Sequence, residues 1–222
     1  MTYLRLRQIC LVARDLAPVE KLISDVLGLA VCYRDPGVGK YGLHNTLFAM
    51  GGTFLEVVSP KREGTAAGRY LDRRKGDGGY MYIVDCDDLE ARREHFNKLG
   101  VRIVEDLKLG DQVSTSEGIH LHPRDTGGCL LSIDRHSGGA DMHGGYHWAG
   151  PEWQKHDQSK VMSAIVGATL QSADPDALAN RWSELLQRKV SKAKDGDTPE
   201  IMLDHGFVRF GPLRDDRGEG LV

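Results

Sequence analysis

An α+β fold of paired βαβββ modules, closing into a cup-shaped mixed sheet and followed by a third, related C-terminal module, is what this sequence predicts. Three observations carry the prediction. A unit made of a strand ending in Asp, one amphipathic helix of about three turns and then short strands recurs three times: QICLVARDLAPVEKLISDVLGLAV from Gln8 to Val31, MYIVDCDDLEARREHFNKLGVRIV from Met81 to Val104, and GATLQSADPDALANRWSELLQRKV from Gly167 to Val190. Its anchors, Asp15, Asp88 and Asp174, lie too far apart for a solenoid and suit a duplicated half-domain. Finally, each helix covers one face of its sheet, so the other face needs a partner, and two modules provide this for each other by folding into a concave structure. The third module is left over. It is expected to pair with its copy in a second subunit, giving a homodimer, or to cover the open end of the first pair.

The elements follow in order. Leu4 to Val12 is rich in branched and apolar residues and reads as a strand. Asp15 caps the following helix, in which Val19, Leu22, Ile23 and Val26 fall at helical spacing while Glu20, Lys21 and Asp25 face water; Gly28 ends it. Ala30 to Tyr33 begins a second strand, and Leu43 to Met50 with Thr53 to Val58 forms a hairpin around Gly51 and Gly52. The second module repeats this with Tyr80 to Val84, a helix over Leu89 to Leu99, Val101 to Val104, and a hairpin through Thr126, Gly127 and Gly128 into Leu130 to Ile133. In the third, Ala164 to Leu170 precedes a helix carrying Leu178, Trp182, Leu185 and Leu186, and then a hairpin over Ile201 to Phe210 that turns near His205 and Gly206. The expected divisions are 1–62, 76–137 and 161–222 for the modules, with 138–160, rich in Gly, His and Trp, as a linker or lid.

Composition narrows the function. With 222 residues the chain is longer than one typical domain and short for two large ones, and 40% apolar content suffices for a core. A net charge of −3 and scattered Lys and Arg leave no basic stripe for nucleic acid. Cys10, Cys32, Cys86 and Cys129 form no CxxC pair and read as reduced, structural thiols. The sequence shows no signal-peptide core and no apolar run of about 18 residues, so a cytoplasmic protein with a small-molecule ligand and no membrane partner is expected. There is no phosphate-binding Gly loop, GxSxG elbow or HExxH, which argues against nucleotide-dependent and nucleophilic chemistry.

The residue that stands out is Glu56, a carboxylate inside an apolar strand, where an unpaired charge is costly and has a partner or a purpose. If Gly51 and Gly52 form the turn, Leu47 lies opposite Glu56, Asn45 shares its face and His44 points away, so Gln8 and Glu56 can meet. The bland alternative is a Glu56 paired to an Arg across the sheet. His120 and His122 form an HxH pair whose face depends on the length of the hairpin loop: an odd-membered loop brings the histidines onto the face of Ser132, an even-membered one turns them away. His143 and His147 lie in the Gly-rich segment.

Together these features resemble the vicinal oxygen chelate superfamily, which includes glyoxalase I, bleomycin-resistance proteins, extradiol dioxygenases and methylmalonyl-CoA epimerase. HPRDTGGCLLSI, from His122 to Ile133, is similar to the epimerase branch, and FLEVVSP, from Phe54 to Pro60, to the end of the first module. The resemblance covers residues 1 to about 137 well and 160–222 loosely. It implies one site in the cup and a divalent metal held by four side chains, one from the first and one from the last strand of each module. The matching positions are Gln8 and Glu56, then Met81 and Ser132. An amide oxygen and a carboxylate suit Mg, Mn or Fe and can contribute to Zn, whereas the Met81 thioether is a poor partner and Ser132 a weak neutral donor, so the set is incomplete. Asp134 follows Ser132 on the same face, but about 6.6 Å along the strand.

The first functional reading is a glyoxalase-like enzyme of lyase or isomerase type. It binds a substrate with adjacent oxygens or an α-carbonyl group through Gln8, Asn45, Met81 and Ser132, with Glu56 as base or metal ligand. A metal-free protein sequestering an aromatic or antibiotic-like molecule is the alternative. Extradiol ring cleavage is weaker, because the resemblance to that branch implies a two-His, one-Glu iron site and no His stands at the two matching strand positions.

Overall fold

The computed structural model describes residues 3–110, 115–194 and 196–222. The chain divides into two compact units: unit A, residues 7–79 with 138–165, and unit B, residues 1–6, 80–137 and 166–222. The class is α+β; the first module lies in unit A except for residues 4–6, and the other two lie in unit B except for residues 78 and 79.

The first module consists of β1 (Leu4–Val12), α1 (Leu16–Leu27), β2 (Val31–Tyr33), β3 (Leu43–Met50) and β4 (Thr53–Pro60), followed by a helix that the repeat pattern does not contain, α2 (Ala66–Arg74). The second consists of β5 (Gly78–Cys86), α3 (Leu89–Lys98), β6 (Ile103–Gly110), β7 (Thr115–Leu121), the short α4 (Pro123–Thr126) and β8 (Leu130–His136). The third consists of β9 (Gly167–Ser172), α5 (Pro175–Leu186), β10 (Val190–Lys192), β11 (Pro199–Met202) and β12 (Phe207–Pro212), with β13 (Gly220–Leu221) added beside β9.

Each module has the same topology. Its first strand runs parallel to its last (β1 with β4, β5 with β8, β9 with β12), and the remaining strands follow as antiparallel neighbours. The register repeats as well: Gln8 lies opposite Phe54, Met81 opposite Leu130 and Gly167 opposite Phe207. The three anchor aspartates act alike. Asp15, Asp88 and Asp174 accept from the backbone N–H groups of Ala17, Ala91 and Ala177 at 3.3, 3.0 and 2.9 Å, satisfying donors that the first helical turn leaves open. Gly28 closes α1 with a left-handed φ of 63°.

The apolar stripe of α1 differs from the expectation. Leu16 and Ile23 are buried and Val19 and Leu27 pack beside them against Phe48, Met50 and Val57, whereas Leu22 and Val26 are 61% and 60% exposed. The helix is rotated so that the Leu16–Val19–Ile23–Leu27 row faces the sheet; both rows have helical spacing, and packing chooses between them. In the second module, the expected hairpin through Thr126 to Gly128 into Leu130 is present as the antiparallel pair β7 and β8, and its connection is the short helix α4 followed by the two glycines.

Residues 138–165, of which 138–160 are expected as a linker or lid and 161–165 as the start of the third module, pack on the first module. Asp157 accepts from the N–H groups of Gly51 and Gly52 at 2.7 and 3.0 Å, Ser159 Oγ donates to the Leu27 carbonyl at 3.0 Å, and the Ile165 N–H donates to Thr53 Oγ1 at 2.8 Å. The segment runs so close to the β3–β4 turn that a Cβ on Gly51 would fall 1.9 Å from the Ser163 carbonyl oxygen. Both turn residues also have positive φ, so glycine is required twice over.

In unit B the third module packs on the second. Trp182 of α5 meets Tyr82 edge-on with ring centroids 5.6 Å apart and Phe210 at 5.9 Å, and its indole N–H donates to the Gly127 carbonyl at 3.3 Å. Arg92 of α3 donates to the last-turn carbonyl of Leu186 at 2.9 Å. The apolar face of α5 is therefore covered within the chain, and burial does not demand the homodimer expected through this module. Among the described residues, no helix is long and apolar enough to cross a membrane. Trp182→Ala is expected to lower the unfolding free energy by about 3–5 kcal/mol, and Leu22→Ala by less than about 0.5 kcal/mol; urea denaturation of the two variants measures both.

Candidate functional site

The site of the first module follows from its pairing. Parallel alignment of β1 with β4 puts Cys10 opposite Glu56, and antiparallel alignment of β3 with β4 puts Leu47 opposite Glu56 and Asn45 opposite Val58. Alternation then carries Gln8, Cys10, Asn45 and Glu56 to one sheet face and sends Phe48, Met50 and Val57 to the other, into the α1 core.

These side chains form one connected hydrogen-bond network. Gln8 Nε2 donates to Glu56 Oε2 at 2.8 Å, and Asn45 Nδ2 donates to Glu56 Oε1 at 2.6 Å. The two amide oxygens are also used: Asn45 Oδ1 accepts from the Asp35 N–H at 2.8 Å, and Gln8 Oε1 accepts from the Tyr146 hydroxyl at 2.7 Å. Glu56 is 7% exposed, Gln8 2% and Asn45 3%. Burial raises the Glu56 carboxyl above its ordinary value, and the Asp35 carboxylate adds to the rise; hydrogen bonds from Asn45, Cys10 and Gln8 oppose it. Desolvation together with the neighbouring Glu56 pushes the Cys10 thiol well up, which keeps it protonated and inert. Among the described residues the partners of Glu56 are amides and a thiol, rather than the arginine of the bland alternative.

Tyr146 reaches the site from the 138–165 segment. Its ring stacks on Phe54 at 4.2 Å with 7° between planes, and Trp153 meets Phe54 edge-on at 4.9 Å. Tyr146, Ala149 and Trp153 form one apolar cluster with Leu47, Ala49 and Phe54. The buried Arg7 guanidinium lies 5.1 Å from the Tyr146 ring and 5.5 Å from that of Phe54, and Nη1 donates to Met142 Sδ at 3.0 Å. These groups lie far from the repeat in the sequence. The signal was one tyrosine and two tryptophans, Tyr146, Trp148 and Trp153, in a segment read as a linker or lid.

The donors as arranged do not fit a divalent cation. A hard ion needs converging oxygens, but Gln8 turns its nitrogen to Glu56 and gives its oxygen to Tyr146, and both Glu56 oxygens face amide N–H groups. Among the described residues no group of three or more His, Cys, Asp and Glu side chains is placed to hold a metal.

The other expected positions lie in unit B. Met81 and Ser132 share one face of the second module's sheet and are buried, and His120, directly opposite Ser132, shares that face. The Ser132 hydroxyl is spent on Asp134, donating to Oδ1 at 2.6 Å, so the carboxylate two residues along is tied to it. Asp85, opposite Asp134, is bound by Arg5 through Nε at 3.0 Å and Nη2 at 2.7 Å. The HxH pair is split: β7 ends at Leu121, and His122 caps α4 with Nδ1 accepting from the Arg124 N–H at 3.1 Å, because the following Pro123 starts a helical turn. His143 lies 3.7 Å from Asp157, and His147 opens a 3-10 turn. In the third module the matching positions are Gly167 and Arg209; a Cβ on Gly167 would fall 2.3 Å from the Phe207 ring, and Arg209 is paired with Glu200 at 2.6 Å. Of the three copies, the first alone keeps an amide and a carboxylate in contact at these positions.

Repeated βαβββ modules, with a buried acid in the last strand of the first, define a fold built by duplication. Residues 9–186 match the family described as "Glyoxalase-like domain", and the chain belongs to that family. It is 25% identical over 132 residues to mouse mitochondrial methylmalonyl-CoA epimerase, covering 59% of this chain and 72% of that protein. It is 22% identical over 134 residues to an ethylmalonyl-CoA/methylmalonyl-CoA epimerase of Cereibacter sphaeroides, covering 59% and 97%. The fold is shared with solved epimerases: that of Mycobacterium tuberculosis (TM-score 0.51, 23% identity, 59% of this chain and 87% of that one) and that of Streptomyces coelicolor in complex with 2-nitronate-propionyl-CoA (TM-score 0.52, 21% identity, 60% and 97%).

The raised Glu56 carboxyl has a consequence for stability. The folded state binds this proton more tightly than the unfolded chain, so the contribution is full below the unfolded value of about 4.3 and is lost as pH rises through the folded value. Urea unfolding of wild type and Glu56→Gln from about pH 4 into the neutral range should show wild type losing ground to the variant as pH rises. A wild type that gains on the variant over that range would contradict the burial argument.

Proposed function

We propose that this protein is a glyoxalase-like enzyme of isomerase or lyase type that moves a proton at a carbon next to a carbonyl group, with Glu56 as the proton acceptor. The observation that carries the reading is a buried carboxylate whose hydrogen-bond partners are neutral amides and a thiol, with its basicity raised by burial. In the reaction the C–H bond breaks, its electron pair passes into the enolate, and the proton forms an O–H bond on Glu56. Return of the proton to the face it left regenerates the substrate, protonation of the opposite face by water gives epimerisation as Glu56 releases its own proton to solvent, and return to another atom gives isomerisation. The Gln8 and Asn45 amides hold the carboxylate on both oxygens and so fix its direction. The epimerase relatives support this class and make a malonyl-type acyl thioester the first substrate to test.

The network also favours a second reading, a metal-free binding protein for a small molecule, because the first-module positions are closed by amide and phenol contacts rather than arranged around a cation. One assay separates the two. Methylmalonyl-CoA and a panel of small α-carbonyl acids are incubated with the protein in D2O and followed by proton NMR. The enzyme reading expects deuterium to wash in at the α carbon, with the rate lowered at least about 100-fold in Glu56→Gln. Saturable binding with no wash-in supports the binding protein, and a Glu56→Gln variant with the wild-type rate removes Glu56 from the mechanism.

A further inference from the structure

We propose that Tyr146 is a positioning residue of this site: by donating its hydroxyl to Gln8 Oε1 it fixes the Gln8 amide with its N–H edge toward Glu56. A primary amide can turn by half a rotation and exchange donor for acceptor. An ionised Glu56 selects the N–H edge by itself, but a Glu56 that has taken up a proton no longer does. If Glu56 cycles between these states, as the reading above requires and on which this inference rests, a second contact is needed to keep the amide from turning. Tyr146 supplies it at 2.7 Å.

The placement of the hydroxyl does not depend on the bond it makes. The Tyr146 ring is buried and stacked 4.2 Å from Phe54, Trp153 abuts Phe54 at 4.9 Å, and the segment is tied down by the Asp157 bonds to Gly51 and Gly52. Ring packing therefore aims the hydroxyl, and Tyr146→Phe removes the aim while leaving the stack. Asn45 provides an internal control, since its oxygen is held by the Asp35 backbone N–H and not by a side chain.

This assigns the 138–165 segment a part in the site. The amide that the family resemblance would turn, oxygen first, to a cation is locked here, oxygen first, to a phenol.

The test is hydrogen exchange of side-chain NH2 groups in protein labelled with nitrogen-15 at Gln and Asn. In wild type both the Gln8 and Asn45 NH2 groups should exchange slowly. In Tyr146→Phe, Gln8 protection should fall at least tenfold while Asn45 protection stays, and the deuterium wash-in assay should show a lower kcat with KM unchanged. Unchanged Gln8 protection in Tyr146→Phe overturns the proposal. So does a wild-type Gln8 NH2 that exchanges as fast as a free amide, a result that needs no variant. Loss of Gln8 protection together with a fully active Glu56→Gln would leave the positioning intact and remove the proton-transfer reading.

Discussion

A carboxylate in the middle of an apolar strand must be satisfied by its neighbours, and the rest of the first module is arranged around that requirement. Glu56 receives hydrogen bonds from two side-chain amides, each worth about 1.5–3 kcal/mol when the acceptor is charged. Both depend on register. A shift of one residue in β4 against either β1 or β3 would turn Glu56 to the α1 face and leave Gln8 and Asn45 without it. The Gly51–Gly52 turn sets the register on one side, and the Asp157 carboxylate holds that turn by its two N–H groups. The aromatic segment then closes the network through Tyr146, so its packing and the chemistry of the site are parts of one arrangement.

The repeat shows what this arrangement cost the other copies. All three modules keep the Asp cap, the parallel pairing of first and last strands and the same register, but the paired positions hold Gln8 and Glu56, then Met81 and Ser132, then Gly167 and Arg209. In the second copy the polar groups are consumed locally, Ser132 by Asp134 and Asp85 by Arg5. In the third a ring crosses the first-strand position and forces glycine there. The third module instead contributes packing: its α5 buries Trp182 against Tyr82 of the second. Scaffold and chemistry have separated, the first retained three times and the second once.

How much of this could be read from the sequence follows from the range of each interaction. The Asp caps, Gly28 and the Gly51–Gly52 hairpin are local signals, and strand parity alone brings Asn45, Gln8 and Glu56 to one face. The rotation of α1 is not local. Leu22 and Val26 have the same spacing as Leu16, Val19, Ile23 and Leu27, and only the shape of the sheet beneath decides which row is buried. The odd loop that puts His120 beside Ser132 was one of two open cases, and the loss of His122 to a helix cap came from Pro123. Tyr146 was out of reach for a further reason: its partner Gln8 is 138 positions away, and the segment that carries Tyr146 is not part of the repeat.

The central claim is that burial, held in check by neutral donors and by no counter-ion, makes Glu56 a stronger base than an ordinary carboxylate. The carbon-13 resonance of the Glu56 side-chain carboxyl, followed through a pH titration of the folded protein, tests it most directly. The account predicts a midpoint above the ordinary glutamate value of about 4.3. A midpoint at or below that value would mean that the hydrogen bonds outweigh burial, and would contradict it.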